Sequence, residues 1–332
     1  MKKFFYCLPT LLVLAAFSLF NACEKDPEYN VPVIGVSFNE LNNDFRKAAA
    51  QNAINSILAL RWGYAYGSSS SLEEQELCID TILQRGCDAL IVMPHSQELF
   101  GSNVIKKVNQ LGIPLICFEE KPKMADVEYA AFVSGDNISA GRNAAAFIAD
   151  TLMRRIGRTV ITTNVLLMTV PSESVSHERI RAFKKEIAKY SIIGIDECEL
   201  SSYSREEAKE KFGVWVNSIC HLAETTDAVY AQDDEIALGI LDAIESMDRP
   251  FNIKVIVGCG ASEKFLRRIK DSDENLALAS TYYSPQTMLL CVEMATQIVS
   301  YGKYPEQKDN IIEAIVVEKS NLAEFYDELA TY

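Results

Sequence analysis

Histidine and tryptophan are scarce in this chain, with three His and two Trp in 332 residues. His95, His177 and His221 are not at a spacing that would pair two imidazoles on one ion, so no metal centre is expected. No Cys-x-x-Cys occurs, which removes the usual redox and zinc-ribbon frames. A phosphate-cradling G-x-x-x-x-G-K-[ST] loop is missing, as is the G-x-S-x-G elbow that exposes a nucleophilic serine. Gly258-Cys259-Gly260 opens a helix after a strand, but Glu263 stands where a dinucleotide fingerprint needs its third glycine, so no cofactor is expected. Positive charge is also in deficit: 32 Lys and Arg face 46 Asp and Glu, for a net charge of −14. Nucleic acid and anionic lipid headgroups both require clustered cations and are not expected as partners.

The chain begins with a basic start, Met1-Lys2-Lys3, followed by a mostly apolar run from Phe4 to Phe20 that is too short to span a bilayer comfortably. Residues 1–22 are read as an export signal. Cys23, followed by Glu24-Lys25-Asp26, resembles a bacterial lipoprotein processing site, which makes Cys23 the lipidation site and 23–30 a polar tether. Nine cysteines are present; with Cys7 removed and Cys23 acylated, an odd number remains, so at least one is unpaired within the monomer. Most lie inside apolar patterns such as Ile116-Cys117-Phe118 and are read as structural thiols.

After the tether, short apolar runs alternate with segments of helical spacing. Strands are expected at Val33 to Phe38, Arg61 to Tyr66, Asp88 to Met93 and Pro114 to Phe118, with helices between them. A strand from Tyr129 to Ser134 leads into Gly135-Asp136, and the rhythm then restarts, with helix Ser139 to Ile156 and strand Val160 to Val170 at its head. Alternation of this kind gives parallel sheets covered by helices on both faces. The fold class is therefore α/β, with two doubly wound parallel-sheet lobes. A helix from Pro285 to Tyr301 and a final strand from Ile311 to Val317 form a coda that a linear two-domain chain would not need. If the chain crosses near Tyr283 and again near Glu313, a three-strand hinge joins the lobes. The lobes are then 31–135 plus 284–312, and 136–283 plus 313–332.

Asp227 to Leu241 shows the local logic most clearly. Asp227-Ala228-Val229-Tyr230-Ala231 reads as a strand, Gln232-Asp233-Asp234 as a turn, and Ile236, Leu238, Ile240 and Leu241 as a helix face. In an open parallel sheet, ligands sit beyond the strands' carboxyl ends, where this turn lies. Asp234 is the candidate helix cap and Asp233 the candidate ligand group. The two carboxylates could form a general-base pair, but no nucleophile or electrophile motif accompanies them.

The segments Ile34 to Phe45, Asp88 to Pro94, Gly112 to Glu120, Phe132 to Ala145, Ser176 to Ile187 and Val229 to Gly239, in this order and spacing, resemble type I periplasmic sugar-binding proteins. This is the ribose- and galactose-binding group, whose core is shared with LacI-type regulators. An export leader rather than a helix-turn-helix precedes the first strand, which sets the repressor reading aside. The resemblance implies ligand contacts from Asn43 and Phe45, with Arg46 where a second aromatic is usual. It places Glu119 and Glu120 where ribose binders carry Asp-Arg, and His177 at a ligand-binding Arg position that Arg179 could serve instead. Tyr203 falls near the second-lobe aromatic, Asp233 on the Asn or Asp after Ala-Gln, and Tyr283 where a hinge Gln is usual. The chemistry fits a sugar, because rings cover C–H faces while carboxylates, amides and guanidiniums pair with hydroxyls. These replacements are expected to move the preferred ligand away from ribose.

The function expected is capture of a monosaccharide or related polyhydroxylated molecule by an exported, lipid-anchored, non-enzymatic protein. It would deliver the ligand to an ABC permease or present it to a membrane sensor kinase, touching the membrane only through its anchor, in the periplasm or at the cell surface. A signal co-receptor and a doubly wound enzyme acting on a sugar or nucleoside are the alternatives.

Overall fold

The computed structural model describes residues 31–156, 163–171, 174–218, 226–247 and 252–326. The expected leader, the tether with Cys23, Cys220 and His221 lie outside the described residues. The first run of elements is β1 (Val33–Phe38), α1 (Asp44–Ala59), β2 (Gly63–Ser68), α2 (Leu72–Gln84), β3 (Ala89–Val92), α3 (Asn103–Gln110), β4 (Leu115–Phe118) and β5 (Ala131–Gly135). The second is α4 (Asn137–Ile156), β6 (Thr163–Thr169), α5 (Ser174–Ile187), β7 (Ile193–Glu199), α6 (Arg205–Ser218), β8 (Thr226–Ala231), α7 (Asp234–Ser246), β9 (Val255–Gly260), α8 (Glu263–Asp271) and β10 (Ala277–Tyr282). The coda contains α9 (Met288–Tyr301), β11 (Asp309–Ile312) and β12 (Val316–Glu318).

Local chemistry sets the helix starts. The hydroxyls of Ser71, Ser102 and Ser262 accept backbone N–H groups in the first turns of α2, α3 and α8. Every residue of β3, β4, β8 and β9 is buried, as strands covered by helices on both faces must be. One sheet runs β11-β5-β4-β3-β1-β2 and the other β12-β10-β9-β8-β6-β7, the same order twice. All pairings are parallel except β12 against β10. Helices α1 and α9 cover one face of the first sheet, and α2 and α3 the other. In the second lobe, α4 and α5 lie opposite α6, α7 and α8.

Three chain segments pass between the sheets: β5 to α4, β10 to α9, and β11 to β12. They are tied to one another, with Asp136 N donating to the Ile312 carbonyl at 2.7 Å and Tyr282 N to the Ile315 carbonyl at 2.7 Å. The strand expected from Ile311 to Val317 is therefore two strands, one per sheet, because the chain changes partner at Glu313 to Ile315. Two further boundaries differ from expectation. Arg61 adopts a left-handed φ of 59°, which ends the α1 turn and delays β2 to Gly63. Pro285 starts a short 3-10 turn rather than the α-helix, which begins at Met288. The described cysteines Cys78, Cys87, Cys117, Cys198, Cys259 and Cys291 are free thiols, and Cys117, Cys259 and Cys291 are buried.

Candidate ligand-binding cleft

Each sheet doubles back beside its first strand, at β1/β3 in one and β6/β8 in the other, and the carboxyl ends of both sheets open on a shared cavity of about 480 Å³. This is the position at which open α/β sheets bind ligands. Of the ten expected site residues, nine line the cavity: Asn43, Phe45, Arg46, Glu119, Glu120, Arg179, Tyr203, Asp233 and Tyr283.

On the first lobe, α1 carries three of these groups in its opening turn. The Asn43 side-chain oxygen caps the helix, accepting from Arg46 N at 2.8 Å. Phe45 stacks on Phe118 at 6.2 Å between centroids with planes 5° apart, and leans on Tyr283 at 5.6 Å. Arg46 is buried, and its Nη1 donates to Asn42 Oδ1 at 2.8 Å and to the Glu40 carbonyl at 3.4 Å. Glu119 follows β4 with a left-handed φ of 68°, a strained conformation for a residue bearing a Cβ. The Tyr283 hydroxyl donates to its Oε2 at 2.5 Å, while its buried Oε1 has no partner. Burial pushes the Glu119 carboxyl up to about 7, against the opposing pull of the Tyr283 hydrogen bond and of Arg179. Glu120 accepts from Gln97 Nε2 at 2.8 Å.

On the second lobe, α4 and α5 approach closely at Gly141, where a Cβ would stand 2.0 Å from the Arg179 carbonyl. That packing fixes Arg179, whose Nε donates to Asn137 Oδ1 at 2.8 Å and Nη1 to the Gln232 carbonyl at 3.1 Å. Its guanidinium lies over the Tyr283 ring at 4.5 Å. Tyr283 is buried where the chain crosses between lobes, and a side chain at Gly135 would put Cβ 2.1 Å from its ring. Asp233 lines the cavity as expected, but the capping role expected of Asp234 also falls to it. Asp233, not Asp234, caps α7, accepting from Glu235 N at 2.8 Å. Asp234 is buried inside the lobe and accepts from Ser262 N at 2.6 Å and Ser280 Oγ at 2.7 Å. Burial and then the neighbouring Asp234 charge push the Asp233 carboxyl up to about 8, against the opposing pull of the Glu235 N–H hydrogen bond and of Arg179. Burial raises Asp234 to about 6, less far because of its hydrogen bonds.

His177 does not join these residues. It is exposed and lines a second cavity, beyond Glu119 and Glu120, with Lys121, Asp136 and Arg181. It lies two residues before Arg179, on a different side of α5, and Arg179 is the side chain that reaches the cleft.

Among the lining residues that the sequence reading did not single out, two carry buried oxygens without a partner. Asn39 follows β1 and is buried; its Nδ2 donates to the Pro94 carbonyl at 3.3 Å and its Oδ1 has no partner. Gln97 opens the 3-10 turn after β3, and its buried Oε1 is likewise unpartnered. The rule that singled out Asp233, a polar residue just past a strand's carboxyl end, would have found Asn39 had it been applied to every strand.

The model of the periplasmic binding protein domain matches residues 31–303. The chain belongs to this family. Among relatives of this periplasmic binding protein, the ribose import binding protein RbsB of Bacillus subtilis (strain 168) is 25% identical over 323 residues, covering 91% of this chain and 95% of that protein. A xylitol-binding protein of Mycolicibacterium smegmatis is 28% identical over 217 residues, 65% of this chain and 57% of that one. An ABC transporter solute-binding protein from Bacillus halodurans C-125 with bound myo-inositol shares the fold, with a TM-score of 0.75 at 21% identity over 89% of this chain and 97% of that one. Family membership makes this an exported, non-enzymatic solute-binding protein of the periplasmic type. The described residues of the periplasmic binding protein contain no helix long and apolar enough to cross a membrane and no His, Cys, Asp or Glu cluster able to hold a metal ion.

Proposed function

We propose that the protein closes its two lobes on a single monosaccharide or polyol, held by Asn43, Phe45, Arg46, Glu119, Glu120, Arg179, Tyr203, Asp233 and Tyr283 together with Asn39 and Gln97. The observation that carries this reading is the set of buried, unpartnered oxygens on Asn39, Gln97 and Glu119 around a cavity floored by the Phe45 ring. Burying such atoms without a partner costs about 1–3 kcal/mol each, a cost that ligand hydroxyls remove. At about 480 Å³ the cavity falls within the ~300–1,000 Å³ of small-molecule sites. Relatives named for ribose, xylitol and D-xylose, and a structural neighbour holding myo-inositol, support this ligand class.

The moving units are 31–135 plus 284–312 and 136–283 plus 313–332, with the three crossings as hinge. Cys23 carries the lipid anchor, and the loaded form docks on an ABC permease or, in the second reading, a membrane sensor kinase. Isothermal titration of the mature protein against pentoses, hexoses and cyclitols tests the ligand class, and a flat response across all three overturns it. Intact mass of the protein extracted from its own cells tests the anchor, since an unacylated Cys23 rules it out.

A further inference from the structure

The unpartnered atoms in the cleft are all acceptors, and their orientation is forced. Gln97 Nε2 faces Glu120 Oε2 at 2.8 Å and the Lys121 carbonyl at 3.2 Å, so turning the amide would set oxygen against oxygen. The same holds for Asn39, whose nitrogen faces the Pro94 carbonyl. Glu119 Oε2 is taken by Tyr283, and its Oε1 lies buried behind a strained backbone that aims the carboxyl at the cavity. The guanidiniums nearby donate to other acceptors, Arg46 to Asn42 and the Glu40 carbonyl, Arg179 to Asn137 and the Gln232 carbonyl, while their charges still attract the Glu119 carboxylate.

Charge points the same way. Five carboxyl groups, Glu40, Glu98, Glu119, Glu120 and Asp233, line the cavity with Arg46 and Arg179; burial leaves Glu119 and Asp233 partly protonated near neutral pH, and an entering cation favours their ionised forms. A hydroxyl brings one donor together with lone pairs that need donors in return, whereas an ammonium brings three donors, a positive charge and no acceptor. The cavity therefore matches a ligand with surplus N–H groups better than one bearing hydroxyls alone.

We propose that the preferred ligand is an amine-bearing polyol, an amino sugar or aminocyclitol, whose protonated amine pairs with Glu119 Oε1 while neighbouring hydroxyls donate to Asn39 and Gln97. This rests on the polyol-binding reading above and names its substrate class. Burial holds the Glu119 carboxyl near 7 although the charges of Arg179 and Arg46 pull it down, and a protonated amine at Oε1 supplies the hydrogen-bond donor that neither guanidinium gives that atom.

The test is calorimetric titration of the mature protein with matched sets: glucosamine, galactosamine and an aminocyclitol, their neutral hydroxyl parents, and the N-acetyl hexosamines, which keep the nitrogen but lose the charge. At least one amine is expected to bind about tenfold or more tighter than its parent, equivalent to ~1.4 kcal/mol, and tighter than its N-acetyl form. Glu119→Gln is expected to shrink the amine-to-parent ratio, with a thermal melt confirming that the variant is folded. The ratios on the unmutated protein make the test independent of that variant. If parents bind as tightly as amines, or if the ratio survives Glu119→Gln in folded protein, this inference is overturned and polyol binding stands. If no member of any set binds, this inference is overturned, and the polyol reading falls with it when the pentoses are silent too.

Discussion

On the first lobe's wall, Asn39, Gln97 and Glu119 each leave a buried oxygen unpaired. On the second lobe's wall, Arg179 is bonded to Asn137 and the Gln232 carbonyl, Asp233 caps α7, and Asp234 is held by Ser262 and Ser280. The same strand order thus carries two kinds of surface. On the proposed reading these three oxygens of the first wall are left for an incoming molecule, and unpaired buried groups are what discriminate most sharply between ligands. On the second wall Arg179 and Asp233 already hold partners in their own lobe, so besides facing the cavity they keep the cleft in shape. A change on the first wall should therefore act on affinity, and a change on the second on stability.

The most severe test of this contrast is Arg179→Ala, which orphans two buried acceptors on the second wall. We expect a loss of about 3 kcal/mol of unfolding free energy, read as a lower urea midpoint in the ligand-free protein. An unchanged midpoint would mean that the second wall is not built as described. Next in size is Glu119→Ala on the first wall, expected to weaken the bound sugar or polyol about 30- to 100-fold, as for hydrogen bonds to a charged group, while shifting the melting temperature little. A large melting shift without loss of affinity would reverse the contrast.

Acidity gives a third, smaller test. Glu119 near 7, Asp233 near 8 and Asp234 near 6 all stand above their unfolded values, so the native state binds more protons than the unfolded chain as pH rises past ~4. The stability they contribute is complete below that pH and is lost as pH rises through about 6 to 8. Urea midpoints of the ligand-free protein should fall between pH 5 and 8.5, with Asp234→Asn flattening part of the slope. A rise in midpoint over that window would contradict the assignment. Smallest is Lys264→Ala. Lys264 Nζ reaches Asp44 of the first lobe at 2.9 Å and Glu235 of the second at 3.3 Å, at the exposed rim. Exposed pairs contribute roughly 0–1 kcal/mol, so affinity should shift less than threefold and the shift should vanish in high salt.

Much of the fold was legible because buried parallel strands and amphipathic helices leave different periods in the sequence, and that alternation runs through β1 to β10. The division of Ile311 to Val317 into two strands was not visible, since an apolar run does not record which sheet accepts its hydrogen bonds. Asp233 could be placed in the cleft from its strand-end position and Phe45 through the family resemblance, but that Asp233 rather than Asp234 caps the helix could not, because either aspartate satisfies a capping preference. The Tyr283 to Glu119 bond joins residues 164 positions apart, and the vacancies on Asn39 and Gln97 depend on what their nitrogens face. Such facts belong to tertiary approach and have no local signature.

The three linked crossings carry a mechanical consequence. A single connecting strand would let the halves swivel as well as fold, but three side-by-side straps, cross-tied at Asp136 to Ile312 and Tyr282 to Ile315, resist torsion far more than bending. If the halves close on a ligand as proposed, they would travel along one arc, and the separation between their outer tips would become a one-parameter gauge of occupancy. A membrane complex reading that separation with two rigid contacts could tell full from empty without touching the cargo.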